Sequence, residues 1–383
     1  MTKYLPQICC NLLLPACIWV CAQQNIHAQD VAGPPLSTMS LFLEKTKGNS
    51  IQISLPTFNS LGITPEQFIA DLKKADIKTV HYFVGFCDGS VNDNLYRKEY
   101  MQALKENGIG IWYMTLGQGF YATSTPLPES WQVETYPSSK GQVIKYSFHN
   151  DDYVNWQVER VKRIITNYPE FMGIEFAESY FRPNGDVSPF AREKFTKEYL
   201  KLDRETLSFD EIRNHAEWYK KWQEYGVDAI INFNQKIKDA VKSTNPDVLF
   251  AAWGMGWRNA SSEKIGEHYW GLDNVRLVRE VNPDILFLQT SWQDWMDPNL
   301  QPQYTKEYAH IVDTLKEANP NVVLGVQTDI ASLSWSNRNN PSVMGIRDGE
   351  WWKAFMDLSL SIGYYTNTAY DYAFYKKQDL WIE

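Results

Sequence analysis

The chain has 383 residues and a formal net charge of −9, from 46 acidic and 37 basic side chains interspersed along it. With no basic stripe to meet a phosphate backbone, nucleic acid is excluded as an expected partner. Of five cysteines, Cys9, Cys10, Cys17 and Cys21 crowd the N-terminus, which excludes a disulfide scaffold and leaves a hydrophobic core to hold the fold. The first 28 residues read as an export signal: Lys3, an apolar run over 8–22, then Ile26-His27-Ala28 before Gln29. That run, broken by Asn11 and Pro15, is shorter than the ~20 apolar residues of a transmembrane helix, and no later run is longer. Cleavage after Ala28 predicts an exported protein, periplasmic, cell-surface or secreted, that keeps only Cys87. Leu14-Pro15-Ala16-Cys17 loosely matches a lipoprotein signal, so a lipid anchor is the alternative.

After an N-terminal segment at 29–49, short β-rich runs alternate with helical stretches. Eight strands are expected, at 51–56, 79–86, 109–116, 172–177, 248–253, 285–291, 322–328 and 364–370. Thr64, Pro65 and Gln67 form an N-cap, a first-turn proline and a capping box for the first helix, whose apolar stripe is Phe68, Leu72 and Ala75. Similar stripes run over 96–104, 154–165, 229–241, 308–315 and 351–362. Asn245-Pro246-Asp247, Asn282-Pro283-Asp284 and Asn319-Pro320-Asn321 each precede a strand, where proline stops a helix and extends the residue before it. Strand–helix alternation implies a parallel sheet, and no Gly-rich phosphate loop follows the first strand. The expected fold is therefore α/β, a (β/α)8 barrel over 50–383. About a dozen residues follow the last strand, so the eighth helix should be short or missing. Long connections at 117–150, 179–215 and 254–270, the second carrying a helix at 190–200, all fall on the C-terminal face, where barrel active sites are built.

Side chains alternate between the two faces of a strand, so one parity packs under the helices and the other enters the barrel. In the fourth strand Ile174 and Phe176 suit the helices, which sends Gly173, Glu175 and Ala177 inward. In the seventh, Val322, Leu324 and Val326 face outward, leaving Val323, Gly325, Gln327 and Asp329 inside. The sixth sends in Gln289 and Ser291 and is followed by Trp292, Gln293, Asp294 and Trp295. Parity with Tyr365 selects Asn367 and Asp371 in the eighth; Gln52 and Ser54, His81 and Tyr113 come from the first three. Rings crowd the same rim: of 15 tryptophans, Trp131, Trp253, Trp257, Trp270, Trp292, Trp295 and Trp335 sit at strand ends or in the connections after them. Plainer roles stand beside these. An inward glutamate is often paired structurally, Asp294 and Asp371 suit loop caps, His81 suits a hydrogen-bonded core histidine, and Trp351 and Trp352 suit helix packing. The histidines lack metal-ligand spacing and Cys87 stands alone, so no metal and no cofactor is expected. No G-x-S-x-G elbow marks a serine nucleophile.

Two carboxylates facing across an aromatic cleft suit glycosidic-bond cleavage, one protonating the leaving oxygen while the other attacks carbon or activates water. Sugar C–H faces pack on Trp and Tyr while Asn, Gln and Asp meet the hydroxyls. On this pattern the chain resembles the secreted bacterial (β/α)8 glycoside hydrolases, whose acid/base and nucleophile commonly follow strands four and seven. The resemblance covers 50–375 in architecture. Where that group's best-known clan has Asn-Glu and Glu, this chain has Ile174-Glu175, or Ala177-Glu178, and Thr328-Asp329. It implies a carbohydrate substrate, Glu175 as general acid/base and Asp329 as nucleophile or base. Glu178 is the alternative acid, with Glu175 then its support, and Asp294 the alternative partner. Expected substrate contacts are His81, Tyr113, Trp253, Trp257, Gln289, Trp292, Gln327, Trp335, Asn367 and Asp371. A non-catalytic carbohydrate-binding barrel, or another glycan-active enzyme such as a lyase or deacylase, would use the same cleft.

Overall fold

The computed structural model describes residues 38–84, 97–120, 127–135, 144–181, 185–259, 264, 266–295, 297, 299–329, 347–377 and 381. Residues 1–28, where an export signal is expected, Cys87 and Trp335 lie outside them. Eight strands close into one parallel barrel: β1 (Gly48–Ser54), β2 (Ile77–Val84), β3 (Gly110–Leu116), β4 (Gly173–Ala177), β5 (Leu249–Met255), β6 (Ile285–Gln289), β7 (Leu324–Asp329) and β8 (Thr366–Tyr370). Each strand pairs with its sequence neighbours, and β1 pairs with both β2 and β8, Gln52 standing opposite His81 on one side and Tyr370 on the other. This is the (β/α)8 architecture expected from the alternation.

The helices form where caps and stripes require. In α1 (Pro65–Lys74) both bonds of the Thr64–Gln67 capping box are made, and Phe68, Ile69 and Leu72 are buried. Then come α2 (Lys98–Glu106), α3 (Asp151–Asn167) and α4 (Ala216–Thr244). A short α5 (Asn274–Arg276) runs on as a π turn, Leu277–Val281, too brief for its stripe to stand out in the sequence. After it come α6 (Ala309–Ala318), α7 (Gly349–Ser361) and α8 (Tyr372–Lys377). All three Asn-Pro stops work. Asn245 and Asn319 are C-caps whose Oδ1 accepts from the N–H two residues on, at 3.0 and 3.1 Å, while Asn282 turns left-handed at φ 48°. The eighth helix has only six residues. Below the barrel, helix Thr38–Thr46 adds Leu43 to the interior's lower layer and receives a 3.0 Å hydrogen bond from the Tyr365 hydroxyl.

Strand parity divides the core. Ile51, Ile53, Val80, Tyr82, Ile174, Phe176, Leu324 and Val326 pack under the helices. Inside, Trp112, Met172, Leu249, Ala251, Ile285 and Phe287 fill the lower layer, and Met114, Leu116, Ala177, Trp253 and Met255 the upper one. Two sequence expectations fail here. Tyr113 faces outward into the helix-side core against Phe171, because inward parity in β3 belongs to Trp112, Met114 and Leu116. Asn367 also faces outward, donating to Asn49 Oδ1 (3.1 Å) and to the Met356 carbonyl of α7 (3.5 Å). Tyr365 lies before β8 begins, so parity counted from it is off by one.

The connection after β4 folds into a helical layer of its own. Helices Pro189–Lys194 and Phe209–Asn214 enclose Val187, Ala191, Phe195, Leu207 and Ile212 against Trp222 of α4. That explains the length of α4: 29 residues, about 44 Å at 1.5 Å per residue, serve both the barrel wall and this layer.

Glycine permits a close contact in the interior. A Cβ on Gly173 would lie 2.3 Å from the Trp112 ring, which therefore packs directly on the β4 backbone. Gly173→Ala is expected to destabilise the fold by about 1–3 kcal/mol through overpacking, read as a lower urea midpoint at unchanged slope. A midpoint equal to wild type would show that the ring is not fixed there.

Candidate active site

The sequence offered five carboxylates, and the structure separates them by depth and by partner. Glu175 points into the barrel as parity requires, but it is 0 % exposed in the middle of β4. Its Oε2 lies 2.6 Å from His81 Nδ1, and its Oε1 accepts from Gln327 Nε2 at 2.5 Å. His81 stacks on Trp112 at 12° and meets the edge of Phe287. This group is sealed between the two apolar layers, with the expected contacts His81 and Gln327 in it rather than at the surface.

Asp371 and Asp294 take structural partners. Asp371 Oδ2 accepts from Ser54 N–H at the end of β1 (2.6 Å) and Oδ1 from Phe374 N–H in the first turn of α8 (2.7 Å), which makes it a cap and a staple. Asp294 sits in the short helix Trp292–Trp295, 5 % exposed, between Arg258 Nη2 at 2.5 Å and the Tyr308 hydroxyl, which donates to it. Ser291 N–H donates to that same hydroxyl at 2.9 Å. Asp294 thereby clasps the loop after β5 to the loop after β6. Burial, with Asp294 adding to it, pushes the Tyr308 phenol far above its usual range, so it stays a donor.

Glu178 and Asp329 stand at the ends of their strands, and Asp329 is only 2 % exposed there. Glu178 is the first residue past β4, half-buried, with φ 51°. A non-glycine residue in left-handed geometry costs of order 1 kcal/mol and persists only where its surroundings impose it. They do so here: Gly117 N–H donates to the Ala177 carbonyl at 2.7 Å, Ser179 Oγ to the Phe176 carbonyl at 3.2 Å, and Tyr180 N–H to the Glu178 carbonyl at 3.0 Å. Asp329 ends β7, in register with Tyr370. Arg347 donates to its main-chain carbonyl and, at 3.1 and 3.3 Å, to those of Trp295 and Asp297. Burial pushes this guanidinium down, offset by Tyr304, Asp329, Tyr375 and Asp297.

Beside Glu178 stands a wall of rings. Tyr180 packs on Trp253 (5.8 Å), Trp270 (5.0 Å) and Trp292 (5.6 Å); Trp270 and Trp292 meet nearly at right angles, and Trp257 joins the same cluster. Trp253 is fully buried, whereas Trp257, Trp270 and Trp292 are half-exposed. Trp131 packs instead toward Tyr153 on the helix side, and Trp295 donates to Thr290 Oγ1 at 2.7 Å. Gln289 points inward with a buried Nε2 that has no hydrogen-bond partner among the described residues. Sequence reasoning missed Tyr180, Lys145 over its face at 4.3 Å, Arg258 and Arg347. Tyr180 was within reach, two residues past Glu178; the others come from loops without a period to read. Among the described residues no His, Cys, Asp and Glu cluster is arranged to hold a metal ion, and no helix is long and apolar enough to cross a membrane.

No protein-family model and no curated protein matches the sequence. Solved structures do match. The glycoside hydrolase domain of PgaB (BpsB) from Bordetella bronchiseptica superposes with a TM-score of 0.60 at 14% identity, over 86% of this chain and 96% of that domain. The chain shares the fold of the (β/α)8 glycoside hydrolases. A β-galactosidase from the psychrophilic Marinomonas ef1 gives 0.58 at 11% identity, and one from the haloarchaeon Halorubrum lacusprofundi 0.56 at 13%. Each covers 85% of this chain, which spans about half of theirs (54% and 52%).

Behind Tyr180 lie two buried titratable groups. His149 is sandwiched by Phe181 and Tyr225, and burial, then the Lys194 charge, lowers its pKa to about 3. Its contribution to stability is full above the ordinary histidine value of about 6.5 and is lost as pH falls toward 3. Asp186, which accepts from Ser188 N–H at 3.0 Å, is pushed up to about 6 by burial, from 3.8. Its sign is opposite: the contribution is full below 3.8 and lost as pH rises to about 6. Asp186→Asn removes only the second effect. Its stability relative to wild type should therefore rise between pH 4 and pH 7, by up to about 3 kcal/mol, in urea titrations at stepped pH. A gap constant across that range would refute the assignment.

Proposed function

We propose that this chain is an exported glycoside hydrolase in which Glu178 is the general acid/base and Asp329 the nucleophile or base. The observation that carries this reading is the turn after β4, where a glutamate is held in strained left-handed geometry on the rim, beside half-exposed tryptophans. The other candidates have carboxylate oxygens taken up by structural hydrogen bonds. Glu175 has both oxygens engaged in a dry interior, Asp371 is committed to two N–H groups, and Asp294 to Arg258 and Tyr308. Asp329 completes the pair from the end of β7, three strands round the ring from β4. Fold likeness to glycoside hydrolases supports the reaction class and says nothing of the sugar. The composition of residues 1–28 supports export.

The chemistry follows from position. An acid that protonates a leaving glycosidic oxygen must sit where a ligand can reach it, which the half-buried position of Glu178 just past β4 supplies. The Tyr180–Trp270–Trp292 corner offers two nearly perpendicular apolar faces, which suits sugar C–H faces and excludes water from the scissile bond.

The test is hydrolysis of a panel of aryl glycosides and soluble polysaccharides, followed by nitrophenol and reducing-sugar release. Glu178→Gln is expected to lower kcat by 10²–10⁴, with the loss much smaller on dinitrophenyl glycosides, whose leaving group needs no proton. Asp329→Asn should lose activity on both. Rates like wild type in either variant would overturn that residue's role, and a wild-type protein inactive on every glycan would overturn the reaction class.

A further inference from the structure

Glu175, His81, Ser50 and Gln327 come from four strands, β4, β2, β1 and β7, and meet inside the barrel. Ser50, His81 and Glu175 are 0 % exposed and Gln327 5 %. The hydrogen-bond directions fix the protons. Ser50 Oγ gives its one hydrogen to the Asn367 carbonyl, so toward His81 Nε2, 3.2 Å away, it can only accept. Nε2 therefore carries a hydrogen. At the other side of the ring, Nδ1 and Glu175 Oε2 are 2.6 Å apart, a distance that two bare acceptors would not hold. A second proton must lie between them. Glu175 Oε1 receives its hydrogen from Gln327, and among the described residues no Lys or Arg is bonded to either member of the pair.

We infer that His81 and Glu175 share a trapped proton as a net-neutral pair, and that Glu175 is a positioning residue which, through Gln327, fixes the end of β7. Asp329 stands two residues beyond Gln327 on that strand, so this second part rests on the function proposed above; the shared proton does not. Neutrality is what lets the pair occupy the space between the two apolar layers, since a lone carboxylate there would be uncompensated. It also separates the roles of two neighbouring glutamates: Glu175 sets the strands from within, and Glu178 acts at their ends.

The network predicts how each substitution behaves. In Glu175→Gln the amide oxygen still accepts from Gln327 and the amide nitrogen donates to an unprotonated Nδ1, so every bond survives without the shared proton. In Glu175→Ala, His81 Nδ1 and the Gln327 amide are both left without a partner. The experiment is histidine-selective 15N NMR on the full chain, with the His81 ring assigned by its loss in His81→Asn. Wild type should show hydrogens on both ring nitrogens, the Nδ1 hydrogen exchanging slowly, and Glu175→Gln should show one, on Nε2 alone. An unprotonated Nδ1 in wild type overturns the shared proton, whether or not any glycan is cleaved. On whichever aryl glycoside wild type hydrolyses, kcat of Glu175→Gln should exceed that of Glu175→Ala by at least tenfold, with KM little changed. A Gln variant as slow as the Ala variant, yet melting like wild type with its ring neutral, would overturn positioning and make Glu175 a reacting group.

Discussion

A closed ring of parallel strands has no edge, and every strand must supply two different surfaces in strict alternation. Most of what this molecule does follows from that constraint. The outward parity is apolar because helices cover it. The inward parity has to fill a cylinder too narrow for water, and it does so with Trp112 and Phe287 below and Met114, Trp253 and Met255 above. Polar residues then have two fates. Those in mid-strand, such as Glu175, His81 and Gln327, must satisfy one another completely; those at or past the strand ends, such as Glu178 and Asp329, reach the rim. The three positions from Glu175 to Glu178 are the distance from one environment to the other.

This explains which parts of the molecule were legible from sequence. The strands of β4 and β7 could be read because small or polar residues alternate with large apolar ones: Gly173-Ile174-Glu175-Phe176-Ala177 and Leu324-Gly325-Val326-Gln327 leave one assignment. In β3 the run Ile111-Trp112-Tyr113-Met114 is apolar on both parities, as it must be in a strand buried on both faces, and the choice of Tyr113 had nothing to correct it. β8 failed differently. Its pattern, Thr366-Asn367-Thr368-Ala369, is small and polar on both faces, so the starting point decided the result, and Tyr365 lies outside the strand. Helix ends were legible for a local reason: an Asn-Pro stop and a Thr64–Gln67 box act within a few residues and do not depend on the tertiary fold.

The rim was less legible than the barrel because its order comes from contacts between loops far apart in the chain. Arg258 reaches Asp294 and Glu307, and Arg347 gathers the carbonyls of Trp295, Asp297 and Asp329. Neither arginine lies on an element with a period, and nothing in their local sequence distinguishes them from surface cations. Their common effect is to tie the connections after β5, β6 and β7 to one another. A site built on loops is otherwise less exact than one built on strands, and these ties return part of that exactness.

The backbone of Glu178 brings these arguments together. A left-handed glutamate immediately after a strand is unfavourable by itself, and a glycine there would relieve it. The chain keeps a glutamate and surrounds it with constraints: the β3–β4 pairing continues through Gly117 and Ala177, Ser179 bonds back to Phe176, and Tyr180 is locked among Trp253, Trp270 and Trp292. Each of these fixes the main chain on one side of Glu178 or the other, so the carboxylate is aimed by backbone geometry and not by a bond to its own oxygens alone. For the acid proposed above, these constraints hold the main chain of the turn whichever protonation state the side chain is in. Glu175 has the opposite design, aimed entirely through its oxygens, and is correspondingly suited to holding a structure together.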